Sequence, residues 1–153
     1  MAYCYRYGCG CEEDAARSLE LARESSGKGS RYGQHVLGQL FYDGGGGVAQ
    51  DYAQALALYR LAAAQNLDGA QFRLGCMYDA GRGVAQDSAE ALRLYHLAAA
   101  QGLAEALYWI AIFHDEGRRG VRKNKAAAIR WFRRALAAGM GMAALPLMML
   151  GAL

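Results

Sequence analysis

Residues 70–105 have the sequence AQFRLGCMYDAGRGVAQDSAEALRLYHLAAAQGLAE, and most of the remaining chain is a variant of this stretch. The glycine-containing segment at residues 81–87 (GRGVAQD) recurs 36 residues earlier, at residues 45–51 (GGGVAQD). A weaker copy occupies residues 118–124, and a more divergent one occupies residues 8–14. Self-similarity at this period is typical of repeat proteins whose units stack in a linear array.

Each repeat is predicted to begin with a helix, expected here from about residue 70 to 77. Ala70, Leu74, Gly75 and Tyr78 follow the i, i+4, i+5, i+8 spacing of one buried helical stripe. The position of Gly75 also holds small residues in the neighbouring repeats, namely Gly38 and Ala111. Because glycine inside a helix costs about 1 kcal/mol relative to alanine, we expect this slot to serve the close approach of a second helix.

A glycine loop follows the first helix. We expect the glycine that recurs at one position of each loop to adopt a positive φ angle. The residues at that repeat position are Gly10, Gly47, Gly83 and Gly120. The next helix has a start signal, since Asp87 precedes Glu90 by three residues, as Asp51 precedes Gln54. This spacing predicts a reciprocal capping box, and an N-cap contributes roughly 1 kcal/mol to a helix.

The second helix carries a wide apolar face of small alanines beside one large aromatic residue. The three sets are Ala91, Leu92, Leu94, Tyr95, Ala98; Ala55, Leu56, Leu58, Tyr59, Ala62; and Ala128, Ile129, Trp131, Phe132, Ala135. One helix pair cannot bury both of its faces, so stacked neighbours must complete the core. The sequence therefore predicts an all-α fold, an α/α superhelical solenoid of about four helix-loop-helix repeats of 36–37 residues.

Composition supports a single repeat domain spanning residues 1–153. Hydrophobic residues make up 54% of the chain, with a single proline and no alternating polar-apolar runs that would indicate strands. The predicted parts are a truncated N-terminal repeat, three full repeats and the start of a final helix, at residues 1–32, 33–69, 70–105, 106–142 and 143–153. We see no secretory signal, which favours an intracellular, reducing compartment.

The motifs GxGVxxD, AxxLYxxAA (residues 91–99) and AxxxLG (residues 70–75) resemble the Sel-one-like repeat, a relative of the tetratricopeptide fold. The resemblance covers nearly the whole chain. It implies a right-handed α-superhelix whose concave side binds peptides or partner proteins, in adaptor or assembly roles and usually without catalysis. This chain departs from the family pattern in its truncated first unit, in Arg118 at a usual glycine position, and in Pro146.

Cysteine and histidine placement gives little support to a metal or catalytic site. Cys4, Cys9 and Cys11 cluster without a second ligand pair, and Cys11 lies one repeat from the apolar Val48. No disulfide pair recurs in each repeat, unlike some secreted members of the family. No nucleophile–base set clusters either, so we predict no enzyme activity, no metal and no cofactor.

Partner binding is the predicted function, and the side of the first helices opposite the buried stripe is its candidate site. The predicted binding residues are Phe72, Arg73, Cys76, Tyr108, Trp109 and Ile112. Aromatic residues with an arginine are typical of binding hot spots. Helical phase alone equally allows these side chains to be buried against the next first helix.

A basic region follows the third loop and forms a second candidate surface. Its residues are Arg118, Arg119, Arg122, Lys123 and Lys125, followed by Arg130, Arg133 and Arg134. An acidic protein, an anionic membrane surface or a nucleic acid could use it, and a solvated outer face is the simpler interpretation. The formal net charge of +3 is too small to indicate a nucleic-acid partner.

Residues 135–153 are uncharged over a length close to that of a membrane span. Alanine, glycine and Pro146 interrupt the stretch, and its repeat phase favours packing over a transmembrane helix. We predict Pro146 to occupy the first turn of a helix. Leu147, Met148 and Leu150 are the predicted docking residues for the alternative function, a subunit fixed in a larger and possibly membrane-associated assembly.

Overall fold

Helices form all the regular secondary structure in residues 12–118 and 121–152, the part of the chain that the computed structural model describes. The chain divides into two units, residues 1–65 and 66–153. The first unit contains α1 (Glu12–Gly27), α2 (Arg31–Asp43) and α3 (Tyr52–Ala64). The second contains α4 (Asp68–Ala80), α5 (Ser88–Ala100), α6 (Ala104–Glu116), α7 (Lys125–Ala137), a 3₁₀ turn (Gly141–Ala143) and α8 (Ala144–Met149). The all-α prediction is confirmed.

The first helices are longer than their apolar stripe predicts, and α4 shows why. The helix begins at Asp68, whose carboxylate lies in the first turn, where the helix dipole favours negative charge. It ends at Gly81, which takes the left-handed conformation (φ 68°) and donates its N–H to the Met77 carbonyl. The helix therefore extends beyond residues 70–77 at both ends.

The position of the terminating glycine corrects the loop alignment made from the sequence. Gly44, Gly81 and Gly117 are the equivalent helix C-caps, each with φ between 68° and 71°. Gly45 is thus not the counterpart of Gly81, and Arg118 does not replace a glycine but follows one. The first and third loops each contain one residue more than the second.

Loop conformation at the predicted glycine is confirmed for the described copies. Gly47 and Gly83 have φ angles of 83° and 69°, a backbone conformation that residues other than glycine adopt with difficulty. Gly10 and Gly120 lie outside the described residues, as do Cys4, Cys9 and Cys11 and the first part of the truncated repeat.

The second helices have the predicted N-caps, but the reciprocal half of the capping box is not formed. Asp87 Oδ1 accepts hydrogen bonds from the backbone N–H groups of Ala89 and Glu90, both at 3.0 Å. The Asp87 N–H, which the box would satisfy, instead donates to the Tyr78 carbonyl at 2.9 Å. Glu90 is therefore left to pair with Arg93, at 2.6 Å.

The large aromatic residue of each second helix forms the centre of the local core, as predicted. Tyr59 in the first unit and Tyr95 and Phe132 in the second are at most 1% exposed. Gly75 allows the Tyr95 ring to approach, because a Cβ atom at this position would lie 2.8 Å from ring carbon Cε1. The small slot thus accommodates a ring of the second helix.

A pair of glutamines links the two helices of a repeat, and the sequence reasoning missed it. Gln65 Nε2 donates to Gln34 Oε1 at 2.8 Å in the first unit. Gln101 Nε2 donates to Gln71 Oε1 at 2.9 Å in the second. Both acceptors are buried, so the bond satisfies polar groups that burial would otherwise penalise. The recurrence of the two glutamines at equivalent positions was the available signal.

The end of the described chain folds back on the second unit. Pro146 lies in the first turn of α8, where its missing N–H costs no hydrogen bond, so that prediction is confirmed. Ala143 and Leu147 are fully buried in the same core cluster as Phe132. The boundaries between repeats and the single-domain assignment stay predictions.

Candidate functional site

The predicted partner-binding residues lie on α4 and α6, and we call this set of six the first-helix face. It consists of Phe72, Arg73, Cys76, Tyr108, Trp109 and Ile112. Every one of these residues is half-buried, between the buried core and the exposed surface. The two interpretations left open by helical phase therefore both hold in part, since each side chain packs on the unit and keeps an accessible edge.

Tyr95 of α5 supports the first-helix face from below. Its ring lies 5.5 Å from that of Phe72 and 6.5 Å from that of Trp109, measured between ring centroids, with the Trp109 ring stacked on it. On its other side it meets Phe113 edge-on at 5.8 Å. Because Tyr95 is 1% exposed, Phe72 and Trp109 pack on a buried aromatic ring.

Cys76 is held on the same face by the Tyr95 hydroxyl, which donates to its sulfur at 3.5 Å. Burial raises the pKa of the Cys76 thiol, and the bond from Tyr95 offsets this only in part. Burial also raises the pKa of Tyr95. Both groups therefore stay neutral at physiological pH, and Cys76 acts as a small packing residue and not as a thiolate nucleophile.

Arg118 joins the first-helix face and does not belong to an open basic surface. Its guanidinium lies 5.8 Å from the centroid of the Trp109 ring. It forms an ion pair with Asp79 at 3.8 Å and a shorter one with Glu116. Arg118 is thus neutralised in part by Asp79 and Glu116, and it stabilises the position of Trp109 through charge and ring contact.

Arg73 differs from Arg118, because no carboxylate in residues 15–118 or 121–152 forms an ion pair with it. Its side chain is half-buried on α4 beside Phe72. A partly desolvated guanidinium without a carboxylate favours an acidic or carbonyl-rich ligand group.

Three other members of the predicted basic patch are more exposed than Arg118. Arg122, Lys123 and Lys125 are exposed on the loop before α7 and at its start. Arg119 lies outside the described residues. The patch is therefore a property of α7 and its approach and not of the first-helix face.

The predicted docking set at the end of the chain is partly wrong. Leu147 is fully buried against the core, so it is not available to a partner. Leu150 is half-buried against the same cluster, and only Met148, at 64% exposure, is open. The helix turns its i, i+4 stripe inward like every first helix before it, which leaves Met142, Leu145, Met148 and Met149 outside.

Two negative findings apply to the described part of the chain. No group of three or more His, Cys, Asp or Glu side chains there is arranged to hold a metal ion. No helix there combines the length and the apolar character needed to cross a bilayer.

These features define a helix-loop-helix repeat protein with an aromatic face on its first helices. A family model for the Sel1 repeat matches residues 1–30, 31–67, 69–103 and 104–140. The chain belongs to the Sel1 repeat family, and its fold is the all-α superhelical repeat fold.

Two solved structures are similar to this chain. One is c5321, a protective antigen present in uropathogenic Escherichia coli strains, with 36% identity over 92% of this chain and 30% of that chain, and a TM-score of 0.81. The other is a Sel1 repeat protein from Oxalobacter formigenes, with 30% identity over 85% of this chain and 52% of that one, and a TM-score of 0.75. The present chain thus spans about a third to a half of these relatives. Curated proteins give no match.

Proposed function

We propose that this protein is a non-catalytic adaptor that binds a peptide or protein segment on the first-helix face of its second unit. Sel1 repeat proteins are generally non-catalytic protein-interaction scaffolds. The choice of this face as the binding site is supported by one observation: the rings of Phe72 and Trp109 both pack on the buried ring of Tyr95. Rigid aromatic side chains lose little entropy when they bind, which is why they are frequent hot spots.

Arg73 supplies the polar part of the proposed site. It lacks a carboxylate partner among the residues described, whereas Arg118 on the same face is paired with Asp79. A ligand carboxylate or a series of backbone carbonyls would satisfy Arg73 without displacing an existing ion pair. The site therefore suits an apolar segment that carries at least one acidic group.

The test is selection of peptides from a random display library on the full chain, followed by calorimetric titration of the selected peptides. We expect Trp109→Ala and Arg73→Glu each to weaken binding by at least about 10-fold, the effect of losing a hot-spot residue. Trp131→Ala and Arg23→Glu are matched controls, since they make the same changes away from this face. Selected peptides that bind both site variants like the unaltered chain would rule out the proposed site.

The alternative function is that of a fixed assembly subunit docked through Leu147, Met148 and Leu150. It is weakened because Leu147 is fully buried in the core. Deleting the residues from Met142 onward would not test docking by itself, because the deletion would also expose the core that Ala143 and Leu147 cover.

We further propose that the protein works in a reducing compartment. The support is that Cys76 stands at a position held by Gln39 and Ile112 in the neighbouring repeats, so no cysteine recurs with the repeat. Mass spectrometry of the natively purified chain after thiol alkylation is expected to show four modified cysteines; any disulfide would contradict the proposal.

A further inference from the structure

Charge is distributed very unevenly along this chain. Residues 117–153 contain eight Lys or Arg residues and no Asp or Glu. The preceding 116 residues contain the other nine cationic residues and all 14 acidic ones. The modest net charge of +3 therefore conceals a strongly basic end attached to an acidic remainder.

The outer side of α7 carries most of this positive charge. Arg130, Arg133 and Arg134 are exposed and follow the i, i+3, i+4 spacing of a single helical face. Lys125 at the start of the helix, with Arg122 and Lys123 before it, is also exposed. Within residues 15–118 and 121–152, none of these six side chains forms an ion pair with a carboxylate.

Exposed apolar side chains lie on the adjacent element. Met142 and Leu145 are 67% and 64% exposed, and Met148 and Met149 are 64% and 81% exposed. They project from the 3₁₀ turn and α8, while Leu147 anchors the same segment in the core. The apolar group is thus held on a folded support and is not part of a loose tail.

A hydrogen bond brings the two groups together. The chain reverses direction between α7 and α8, and Arg133 Nη2 donates to the Ala152 carbonyl at 3.0 Å. The segment that follows α8 therefore contacts the arginine face of α7. We call the arginine face of α7 and the exposed apolar side chains of the adjacent segment the basic-apolar surface; its members are Arg130, Arg133, Arg134, Met142, Leu145, Met148 and Met149.

We propose that the basic-apolar surface binds the surface of an anionic lipid bilayer. Phosphate headgroups attract clustered Lys and Arg, and exposed Leu and Met side chains gain free energy when they enter the adjacent acyl region. Both requirements are met within one unit, on adjoining elements. The chain would lie on the membrane without crossing it.

Trp131 lies on α7 next to Arg134, at the edge of the basic-apolar surface and not within it. It is half-buried on α7, with the Arg134 guanidinium 4.4 Å from its ring centroid and the His96 ring 5.3 Å away. Tryptophan is enriched at the level of lipid headgroups, where its amphipathic ring has both an apolar and a polar neighbour. A ring covered by Arg134 and His96 is by contrast poorly placed to stack on nucleic-acid bases.

The same apolar residues argue against a purely electrostatic partner. Nucleic-acid phosphates or an acidic protein would pair with the arginines, but they would leave Met148 and Met149 in contact with polar groups. A lipid surface satisfies both sets at once.

The first test is flotation of the full chain with phosphatidylcholine vesicles, with or without phosphatidylglycerol. We expect flotation only with the anionic vesicles, and a marked loss when salt is raised from about 50 mM to about 500 mM. The triple variant R130Q/R133Q/R134Q is expected to partition about 100-fold more weakly at low salt. The matched control R17Q/R23Q/K28Q loses the same charge from α1 and the turn that follows it, and should partition like the unaltered chain.

The second test separates the apolar contribution. The double variant L145S/M149S should lower the partition coefficient about 10-fold and keep the salt dependence, because it removes insertion and leaves the charges. L61S/L97S removes exposed leucines from α3 and α5, so it serves as the control. Circular dichroism and gel filtration confirm that each variant is folded and monodisperse.

A spectroscopic readout locates the contact. In a Trp109→Phe background Trp131 is the sole tryptophan, and brominated acyl chains in anionic vesicles are expected to quench its fluorescence. Quenching places α7 at the interface. Flotation without quenching, equal losses in the arginine variant and its control, or binding to duplex DNA but not to vesicles would each overturn the proposal. Concentration-dependent dimerisation lost in L145S/M149S, without flotation, would assign the surface to a second copy of the chain.

Discussion

The helix pairs α4/α5 and α6/α7 of the second unit follow one plan with different residues. In α4/α5 the slot beside the central ring is Gly75 and the ring is Tyr95; the equivalent positions in α6/α7 are Ala111 and Phe132. All four positions are buried. The repeat thus preserves the volume and the apolar character of the contact, while the individual side chains are free to change.

Outside the core, the two pairs diverge much further. Arg93 on the outer side of α5 is paired with Glu90, whereas no residue of α7 is acidic. The comparison shows that packing constrains the inner positions of each repeat, so differences in function must lie at the half-buried and exposed ones.

The largest effect is expected from removing the ring that both first helices share. Tyr95→Ala should lower the free energy of unfolding by about 4 kcal/mol, since it leaves a cavity under Phe72 and Trp109. Tyr95→Phe should cost under about 1 kcal/mol, because the hydroxyl loses only a long bond to sulfur. Urea unfolding measures both changes. A small loss in Tyr95→Ala would mean that the face does not depend on this ring.

Substitution of the small residue beside the central ring is expected to have the next largest effect on stability, and the effect should differ between the two helix pairs. Gly75→Ala should destabilise by about 2 kcal/mol, because its Cβ would lie 2.8 Å from the buried ring and overpacking outweighs the gain in helix propensity. Ala111→Gly should cost about 1 kcal/mol for the opposite reason, a lost methyl group and a more flexible helix. A stabilising Gly75→Ala would show that the ring of Tyr95 can move.

Sequence periodicity predicted the inner part of this structure well. Tyr59, Tyr95 and Phe132 are core residues because a side chain of that size at that helical phase has no other place to pack. The first-helix face was placed on α4 and α6 by the same reasoning. Whether it binds a partner stays a prediction, because half-burial is compatible with packing and with binding.

Features that depend on one residue of register or on competing hydrogen bonds were not predictable in this way. The glycine cap at Gly117 was missed because an extra loop residue shifts the motif by one position. The capping box at Asp87 failed because the Tyr78 carbonyl competes for the backbone N–H. Leu147 was assigned to a docking surface, although its phase matches that of the buried Ile110.

The N-caps of α5 and α7 are expected to differ by a smaller amount. Asp87 accepts two backbone hydrogen bonds and Asn124 accepts one. Asp87→Ala should therefore cost about 1 kcal/mol and Asn124→Ala about half of that. Asp87→Asn, which retains an acceptor oxygen, is the control in the same urea titration. Equal losses at the two sites would show that the second bond to Asp87 adds no stability.

The smallest effect concerns pH, through His96 on α5 and His114 at the end of α6. Burial lowers the pKa of both imidazoles, and the neighbouring His114 and Arg134 add to the effect on the pKa of His96, as Arg130 does on that of His114.

Since the unfolded chain then binds protons more readily than the folded one, stability should be highest above pH 6.5, the ordinary pKa of histidine. It should decline as pH falls from there through the lowered folded-state values. Thermal melts at pH 7.5 and pH 5 test this. In the variant H96Q/H114Q we expect the difference in Tm to shrink, because the protons no longer have a site to which they bind preferentially on unfolding. An unchanged difference would place the pH response elsewhere, in carboxylates such as Glu90, whose pKa is lowered by its bond to Arg93. Histidines and carboxylates with lowered pKa values would both make Tm fall with pH. They differ in the pH range of that fall, since a carboxylate titrates below the histidines.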